Sequence, residues 1–466
     1  MDTTAGDRGL RMNPDRIVRI YVSVLTSALP AGGTAEAAVG YLRRVLRERG
    51  HGTIPDLPPD IENVSGRIRP PKEFPRELVE RRTVLALHLP LAVAERTISI
   101  LSQQPGIRAG LDLPIATNAW WCPGQGPPHF GDRVGAERLI RAETLRACAC
   151  EEPVNLVIID QGLPADIPYD GPRRGWTVTD AGGQVREPFQ GTGGHAAMVA
   201  RNARAFTDKD NVILWDCPLL PERIDSLPVY LSYAEVVFGQ IVASIRQYRK
   251  DHPGEGSFVL VNAWGVWDTS QDALPGSPAN YARNPAHPLS RLVARLDRRQ
   301  VDQVYAAGNC GQFCPPTRCG PRDRGPGRSI LGVNSHPRVL TVGAVRADGL
   351  WVGYSAEGPG TLSDRKPDLC APSLFRDRLG PGLGGDNSGT SAACGVAAGV
   401  IAAARACRPW NRLSPARLRR RLRQGARFQG EDPAARSRFG AGILDAEAVA
   451  GLCPPLPEDE PALPAA

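Results

Sequence analysis

Five short apolar runs constrain the fold of this chain more than any other feature of its sequence. The first is VNLVIID at 154–160, and similar runs recur at 211–215, 257–262, 301–307 and 339–345, with helical stretches between most of them. A strand that is apolar at nearly every position is buried on both faces, and alternation with helices is typical of a parallel sheet. The sequence therefore predicts an α/β fold in which a parallel sheet carries helices on both faces.

The first 115 residues have a different pattern, with shorter strands and a Pro-rich interval. The predicted elements are a strand at 17–25, a helix that Thr34 caps and that runs to Glu48, a strand at 83–89, a helix at 91–104 and a strand after Gly106. These elements predict a small α+β domain in front of the α/β domain.

The chain thus divides into four expected segments. Residues 1–115 form the α+β domain, and 116–153 form a linker with an amphipathic helix near 133–149. Residues 154–450 form the α/β domain, and 451–466 are a Pro- and acid-rich tail with little to bury.

Composition excludes several classes of protein. The chain has 466 residues, 42% of them apolar and 23% charged, which is ordinary for globular domains. The net charge is +7, but only four of the 56 basic residues are lysines, so Arg-rich composition explains the charge and nucleic-acid binding is not favoured. No stretch approaches the roughly 20 apolar residues of a membrane span, and the N-terminal residues lack the pattern of a secretory signal. We therefore expect a cytoplasmic protein without a membrane anchor.

The 11 cysteines are odd in number, and in a reducing compartment they are expected to be free thiols. Cys310, Cys314 and Cys319 form the only tight cluster, but its spacing lacks the paired CxxC motifs of structural zinc sites. We expect no metal site there, and we expect Cys310 and Cys394 to be small packing residues rather than parts of disulfides.

Three residues at predicted strand or helix ends could carry chemistry. Asp160 ends the first buried strand, His195 begins a helix of small residues after Gly194, and Ser391 begins another after GT. Catalytic side chains of open α/β sheets gather where strands end, and a helix N-terminus offers unpaired N–H groups to a developing anion. Each residue also has a structural interpretation, because Asp caps turns, a single His is often structural, and Ser is a common helix cap.

A fourth residue, Asn309, follows the strand end in VYAAGNCG. A side-chain amide at a strand end can donate to a developing negative oxygen, as in hydrolases. The alternative is that Asn309 occupies a left-handed turn position, which Asn tolerates better than most residues.

Together these segments resemble the subtilase family of serine peptidases over about residues 154–450, and the order Asp, His, Ser is the order of that family. Supporting segments such as NAWG at 262–265 and YSAEGPG at 354–360 are similar as well. The resemblance implies that Ser391 attacks the scissile carbonyl, that His195 transfers the proton and that Asp160 orients His195.

The resemblance also implies the binding residues. Asn309 and the Ser391 N–H would form the oxyanion hole. The segment that pairs with extended substrate would be Ala263, Trp264 and Gly265. The wall of the pocket for the side chain before the cut would be Ala306, Ala307 and Gly308.

The sequence departs from the family pattern at four positions near these motifs. Ala196 and Ala197 follow the histidine in place of Gly-Thr, Arg201 replaces a glycine, and Gly395 replaces a proline after the serine. Because glycine is more flexible than proline, we expect a less rigid turn at the serine.

These observations predict a subtilisin-like serine endopeptidase that acts on a protein or peptide substrate without a cofactor. Structural calcium is frequent in the family, but no Asp-rich loop identifies a site. The alternative is a degenerate relative that binds peptides or partner proteins, and acyl transfer to an amine would use the same triad. Residues 1–115 would be either a propeptide that inhibits the site intramolecularly or a permanent regulatory domain.

Overall fold

The computed structural model describes thirteen segments of the chain. They are residues 13–29, 33–50, 54–71, 82–117, 130–146, 151–180, 183–192, 194–207, 211–221, 229–377, 385–408, 412–428 and 433–452. The predicted tail lies almost wholly outside the described residues, as does much of the linker at 116–153.

The structure contains seventeen strands among the described residues. They are β1 Ile17–Leu25, β2 Glu62–Asn63, β3 Ile68–Arg69, β4 Arg82–Pro90, β5 Ile107–Leu111, β6 Pro114–Thr117, β7 Val154–Asp160, β8 Arg173–Gly175, β9 Thr177–Thr179, β10 Val185–Arg186, β11 Val212–Pro218, β12 Val229–Tyr230, β13 Ser257–Asn262, β14 Trp264–Gly265, β15 Asp302–Ala306, β16 Leu340–Val345 and β17 Leu369–Pro372.

Eleven α-helices accompany them in the described part of the chain. They are α1 Ala35–Arg49, α2 Leu91–Ser102, α3 Arg133–Leu139, α4 Glu143–Arg146, α5 Gly194–Ala203, α6 Leu231–Asp251, α7 Pro288–Arg298, α8 Gly389–Cys407, α9 Pro415–Gly425, α10 Pro433–Phe439 and α11 Glu447–Ala450.

The central sheet has seven strands in the order β17-β16-β15-β13-β7-β11-β8, and every pairing in it is parallel. Successive side chains of a strand point to opposite faces. In β7, Leu156 and Ile158 lie in one core with α5 and α8, while Val157 and Ile159 lie in the other with α6 and α7. The predicted fold class is confirmed, because the sheet is covered by helices on both faces.

The N-terminal region is a four-stranded antiparallel sheet in the order β2-β4-β1-β5, against which α1 and α2 pack. Thr34 caps α1 as predicted, since its hydroxyl accepts the N–H of Ala37 at 3.2 Å. The predicted α+β architecture of this region is therefore present.

The linker helix is shorter than predicted. Instead of one helix at 133–149, α3 ends at Leu139 and α4 begins at Glu143. Arg141 between them has a positive φ of 55°, a conformation that interrupts a right-handed helix.

One described helix, α8, is long and apolar enough to cross a membrane by length and composition. However, 94% of its apolar window is buried inside the fold, which is what the core helix of a globular domain shows as well. The helix therefore gives only weak evidence for a membrane span.

The expectation for Cys310 was wrong, because Cys310 forms a disulfide with Cys319. Cys314 and Cys407 are disulfide-bonded as well, so the cluster at 310–319 cannot supply three thiolates to a metal. Spacing alone did not reveal the pairing, because the two half-cystines belong to one loop without regular structure. Cys394 is free and buried, as predicted.

Candidate active site

Three neighbouring strands of the central sheet, β15, β13 and β7, bring the predicted site residues to one edge. Asp160 is the last residue of β7, Ala263 follows β13, and Asn309 lies three residues beyond β15. Because these strands are parallel, their carboxyl ends meet at the same edge of the sheet. Ser391 reaches this edge from the first turn of α8.

Asp160 and His195 are in direct contact. The imidazole Nδ1 lies 2.8 Å from Oδ1 and 2.9 Å from Oδ2 of the Asp160 carboxylate. Oδ1 also accepts the N–H of Gln161 at 2.7 Å, a second contact that holds the carboxylate in place. A proton on Nδ1 leaves Nε2 as the acceptor of the ring, and in the described structure Nε2 is buried and has no hydrogen-bond partner. The ring is therefore oriented to receive a proton at Nε2.

The turn before Ser391 is tied to Asn309. Oδ1 of Asn309 accepts both the N–H and the hydroxyl of Thr390 at 2.9 Å, and the Thr390 hydroxyl accepts the N–H of Gly308 at 3.2 Å. Since Oδ1 is thus occupied, the orientation of the Asn309 amide is fixed relative to Ser391. The left-handed position in this segment belongs to Gly308, whose φ is 103°, and not to Asn309, so the turn interpretation of Asn309 is wrong.

The hydroxyl of Ser391 donates to the main-chain carbonyl of Ala263 at 3.2 Å rather than to His195. Hydrogen bonds between nucleophile and base are often loose or absent before a substrate is bound.

The predicted substrate segment is already paired with a strand of the N-terminal region. In β14, Trp264 lies opposite Thr117 and Gly265 opposite Ala116 of β6, in antiparallel register. On its other edge β6 pairs with β12, so that β6 is the middle strand of three. β6 thus ends at Thr117, opposite Trp264. The residue directly before Trp264 is Ala263, whose carbonyl accepts the Ser391 hydroxyl.

The predicted pocket wall continues β15. Ala306 and Ala307 are buried, and the N–H of Ala307 donates to Val342 on the adjacent strand. Asn334 donates to the carbonyls of both Trp264 and Ala306, at 2.7 and 2.9 Å. This amide holds the substrate segment and the pocket wall at a fixed separation.

Asp216 on β11 is a site component that the sequence interpretation missed. Its Oδ2 accepts the N–H of Leu163, three residues after Asp160, and that of Phe189, six residues before His195, at 3.0 and 2.7 Å. The carboxyl is fully buried, and burial together with the charge of Asp160 raises the pKa of Asp216 to about 7. An acid inside a buried strand, WDC at 215–217, was the signal in the sequence.

The departures at Arg201 and Gly395 have structural explanations. Arg201 forms an ion pair with Asp377, and the neighbouring Asn202 donates to Asn387, at 2.8 Å, in the segment that leads into α8. A Cβ on Gly395 would lie 2.8 Å from Cβ of Asn202, so that close packing of α5 against α8 requires glycine there. This contact gives a packing reason for glycine at 395, and the expectation of a less rigid turn at the serine stays a prediction.

No group of three or more His, Cys, Asp or Glu side chains that could hold a metal ion occurs among the residues the structure describes.

Comparison with known proteins identifies one family. A family model described as the subtilase family matches residues 230–442, a little under half of the chain. The match includes Asn309 and Ser391, whereas Asp160 and His195 lie before it. No curated protein matches the sequence.

Several solved structures are similar. MycP1 from the ESX-1 type VII secretion system is 20% identical with a TM-score of 0.45, covering 75% of this chain and 93% of that one. MycP1 from Mycobacterium smegmatis is 18% identical with a TM-score of 0.45, covering 76% and 94%. MycP1 with the N-terminal propeptide removed is 18% identical with a TM-score of 0.44, covering 68% and 96%.

Proposed function

Because residues 230–442 belong to the subtilase family, we propose that this chain is a serine endopeptidase that cleaves extended peptides through an acyl-enzyme. The observation that carries the proposal is the contact of His195 with Asp160 at the sheet edge where Ser391 begins α8. Asp160 and His195 lie outside the matched segment, so their roles rest on this geometry and on the sequence motif.

Each residue of the triad has one task in the proposed reaction. His195 accepts the Ser391 proton at Nε2 while Oγ bonds to the scissile carbonyl carbon, and the same proton then passes to the leaving amine. Asp160 keeps the second ring proton on Nδ1 and stabilises the imidazolium that forms. Water then attacks the acyl-enzyme by the same route, with His195 as its base, and releases Ser391.

Asn309 and the N–H of Ser391 stabilise the tetrahedral intermediate. The Asn309 amide is fixed through Oδ1 by Thr390, and the N–H of Ser391 belongs to the first turn of α8, where backbone donors are unpaired. Fixed donors of this kind act on charge that develops only during the reaction. We expect Asn309→Ala to lower kcat by about 100- to 1,000-fold with a small change in KM.

We further propose that the N-terminal region inhibits this site in the uncleaved chain. β6 occupies the edge of β14 that an extended substrate would use. Its neighbour Asp112 is buried and caps α6, accepting the N–H and hydroxyl of Ser232 at 2.7 Å, while Arg19 donates to the same carboxylate. These contacts hold the N-terminal region against the catalytic region.

The rival proposal is a peptide-binding relative that does not cut. In the described structure the Ser391 hydroxyl is bonded to the carbonyl of Ala263, an arrangement that a non-cutting relative would keep when an extended chain is bound. Such a protein would keep the pairing of β14 with extended chains but would not turn over a substrate.

Hydrolysis of an extended peptide library by wild type, Ser391→Ala and Ser388→Ala separates these proposals. Ser388 is a buried serine that precedes α8 and serves as the matched control. The peptidase proposal expects turnover by wild type and Ser388→Ala, and a fall of about a million-fold in Ser391→Ala. Product masses that show amine adducts instead of hydrolysis would indicate acyl transfer. Equal turnover by all three proteins, or none by wild type after its N-terminal region has been cleaved off, would contradict the peptidase proposal.

A further inference from the structure

The end of β6 is held by two side chains in addition to its backbone pairing. The indole Nε1 of Trp267 donates to the carbonyl of Ala116 at 3.4 Å, and Nη2 of Arg318 donates to the carbonyl of Thr117 at 2.9 Å. Both acceptors are main-chain atoms, so these contacts depend on the path of the backbone and not on the identity of the side chain.

These two donors are also held by contacts that do not involve β6. The guanidinium of Arg318 stacks on the Trp267 ring, 3.6 Å from its centroid. Arg318 also precedes Cys319, which the disulfide to Cys310 anchors next to Asn309. Burial lowers the pKa of Arg318 to about 10, so the side chain is still a cation at neutral pH.

The same loops restrict the side chain at position 116. Trp267, Cys310 and Cys319 form a small buried cluster, and Ala116 packs directly against it. A larger side chain at that position would have to displace the indole or the disulfide, and overpacking of this kind is unfavourable.

We propose that Trp267 and Arg318 are substrate-binding residues that hold the backbone of whichever extended chain occupies the position of β6. In the uncleaved chain the occupant is the segment Pro114–Thr117, and in the active enzyme it is a peptide with a small residue opposite Gly265. The proposal rests on the proposed function, because it requires the segment Pro114–Thr117 to give way to a substrate.

Hydrogen exchange of the full-length Ser391→Ala protein tests the contact without requiring activity. In Arg318→Gln and in Trp267→Phe, which keeps an aromatic ring but removes the indole N–H, amides of the segment 107–117 should exchange about tenfold faster. This factor is what the loss of one such hydrogen bond would produce. Arg322→Gln is the matched control, because Arg322 is an exposed arginine of the same loop region.

Unchanged exchange in both variants would overturn the proposal whether or not the protein is a peptidase. Use of two variants keeps the test valid if Arg318→Gln fails to fold, since Trp267→Phe retains the stacking on Arg318.

Steady-state kinetics then test the role in substrate binding. With peptides that carry Ala at the position opposite Gly265, Arg318→Gln and Trp267→Phe should raise KM about tenfold and leave kcat within about twofold. Replacement of that Ala by Phe in the peptide should raise KM for wild type. A loss in kcat alone would contradict substrate binding by Trp267 and Arg318, and so would equal KM values for the Ala and Phe peptides. A wild type without turnover would contradict only the proposed function.

Discussion

At the scale of single residues, the site is organised by carboxylates that bind backbone or imidazole N–H groups. Asp160 holds His195 and Gln161, while Asp216 on the next strand holds the loops that follow Asp160 and precede His195. A fully buried carboxyl with only two N–H donors is poorly compensated for its lost hydration. Asp216 therefore combines a positioning role with a cost in stability when it is charged.

The raised pKa of Asp216 gives a testable pH dependence. A carboxyl whose pKa rises from 3.8 to about 7 on folding contributes stability that is present below pH 4 and is lost as the pH rises through about 7. The full change corresponds to roughly 4 kcal/mol as an upper bound. In Asp216→Asn the contribution is absent, so the stability of the parent relative to the variant should fall from pH 5 to pH 8. Urea unfolding in the Ser391→Ala background measures this difference.

Asp272→Asn provides a matched comparison, because Asp272 is another buried carboxyl that accepts backbone N–H groups. Burial raises the pKa of Asp272 to about 6, so the same direction of change is expected over a narrower pH range. A constant difference between parent and Asp216→Asn from pH 5 to pH 8 would contradict this account of Asp216.

At the scale of elements, the contact between α5 and α8 aligns the proposed base with the proposed nucleophile. His195 begins α5 and Ser391 begins α8, and the helices approach so closely that a Cβ on Gly399 would lie 2.7 Å from the carbonyl of Asn202. Gly395 occupies an equivalent position one turn earlier. The two glycines thus fix the separation of the helices that carry the reacting groups.

We expect Gly395→Ala to destabilise the fold by about 1–3 kcal/mol, because the added methyl group would meet Asn202 and the carbonyl of Val199. Displacement of α5 should lower kcat as well. Thermal unfolding and peptide hydrolysis measure the two effects. The control is Gly40→Ala on α1, where an added Cβ meets nothing within 4 Å and should stabilise the helix by about 0.5–1 kcal/mol. A stable and fully active Gly395→Ala variant would refute the close contact.

The main elements could be predicted from sequence because each has a local signal. The apolar runs predicted the cores of β7, β11, β13, β15 and β16 to within three residues at either end. β17 and β8 were missed, since a strand of three or four residues next to proline is too short for a periodic signal. The sequence did not predict that β6 pairs with the segment proposed to bind substrate. Its partners, Val229 and Trp264, are more than 100 residues away, so no local pattern reveals the pairing.

The site residues that could be predicted from the sequence are those that belong to a recognisable sequence motif. Asp160, His195, Asn309 and Ser391 each follow a strand or begin a helix, which the sequence reveals. Arg318 has no such motif, and its contact with Thr117 depends on how a disulfide loop folds back on a distant strand. The partner of Arg201, Asp377, likewise lies 176 residues away and has no local signature.

At the scale of the whole molecule, the N-terminal region is integrated with the catalytic region. Its sheet contributes Tyr21 and Ala86 to the same core as α6, and β3 pairs with β9. The segment that extends from this sheet, β6, lies on the substrate edge. Whether residues 1–115 are removed or retained would therefore decide whether a substrate can reach the proposed site. The predicted domain limits stay a prediction.

The disulfides are relevant to the predicted cellular compartment of the protein. Disulfides are rare in reducing compartments, so the bridge between Cys310 and Cys319 weakens the premise of the cytoplasmic prediction, which itself stays untested. We expect non-reducing peptide mapping of the purified protein to link Cys310 to Cys319. Replacement of Cys310 and Cys319 by alanine should lower the free energy of unfolding by about 2–3 kcal/mol, given the short loop that this one bridge closes.

The three free cysteines of the described residues supply the control in the same experiment. Cys217, Cys370 and Cys394 are buried and should react with iodoacetamide only after denaturation. Alkylation of Cys310 in the native, unreduced protein would contradict the bridge.

The central claim, that Ser391 is a nucleophile activated by His195, is tested most directly by a fluorophosphonate probe followed by peptide mapping. The account predicts one phosphonyl group on Ser391 of the wild type, none in Ser391→Ala, and labelling slowed by orders of magnitude in His195→Ala. Equal labelling of wild type and Ser391→Ala, or an N-terminally cleaved wild type in which Ser391 stays unmodified, would contradict it.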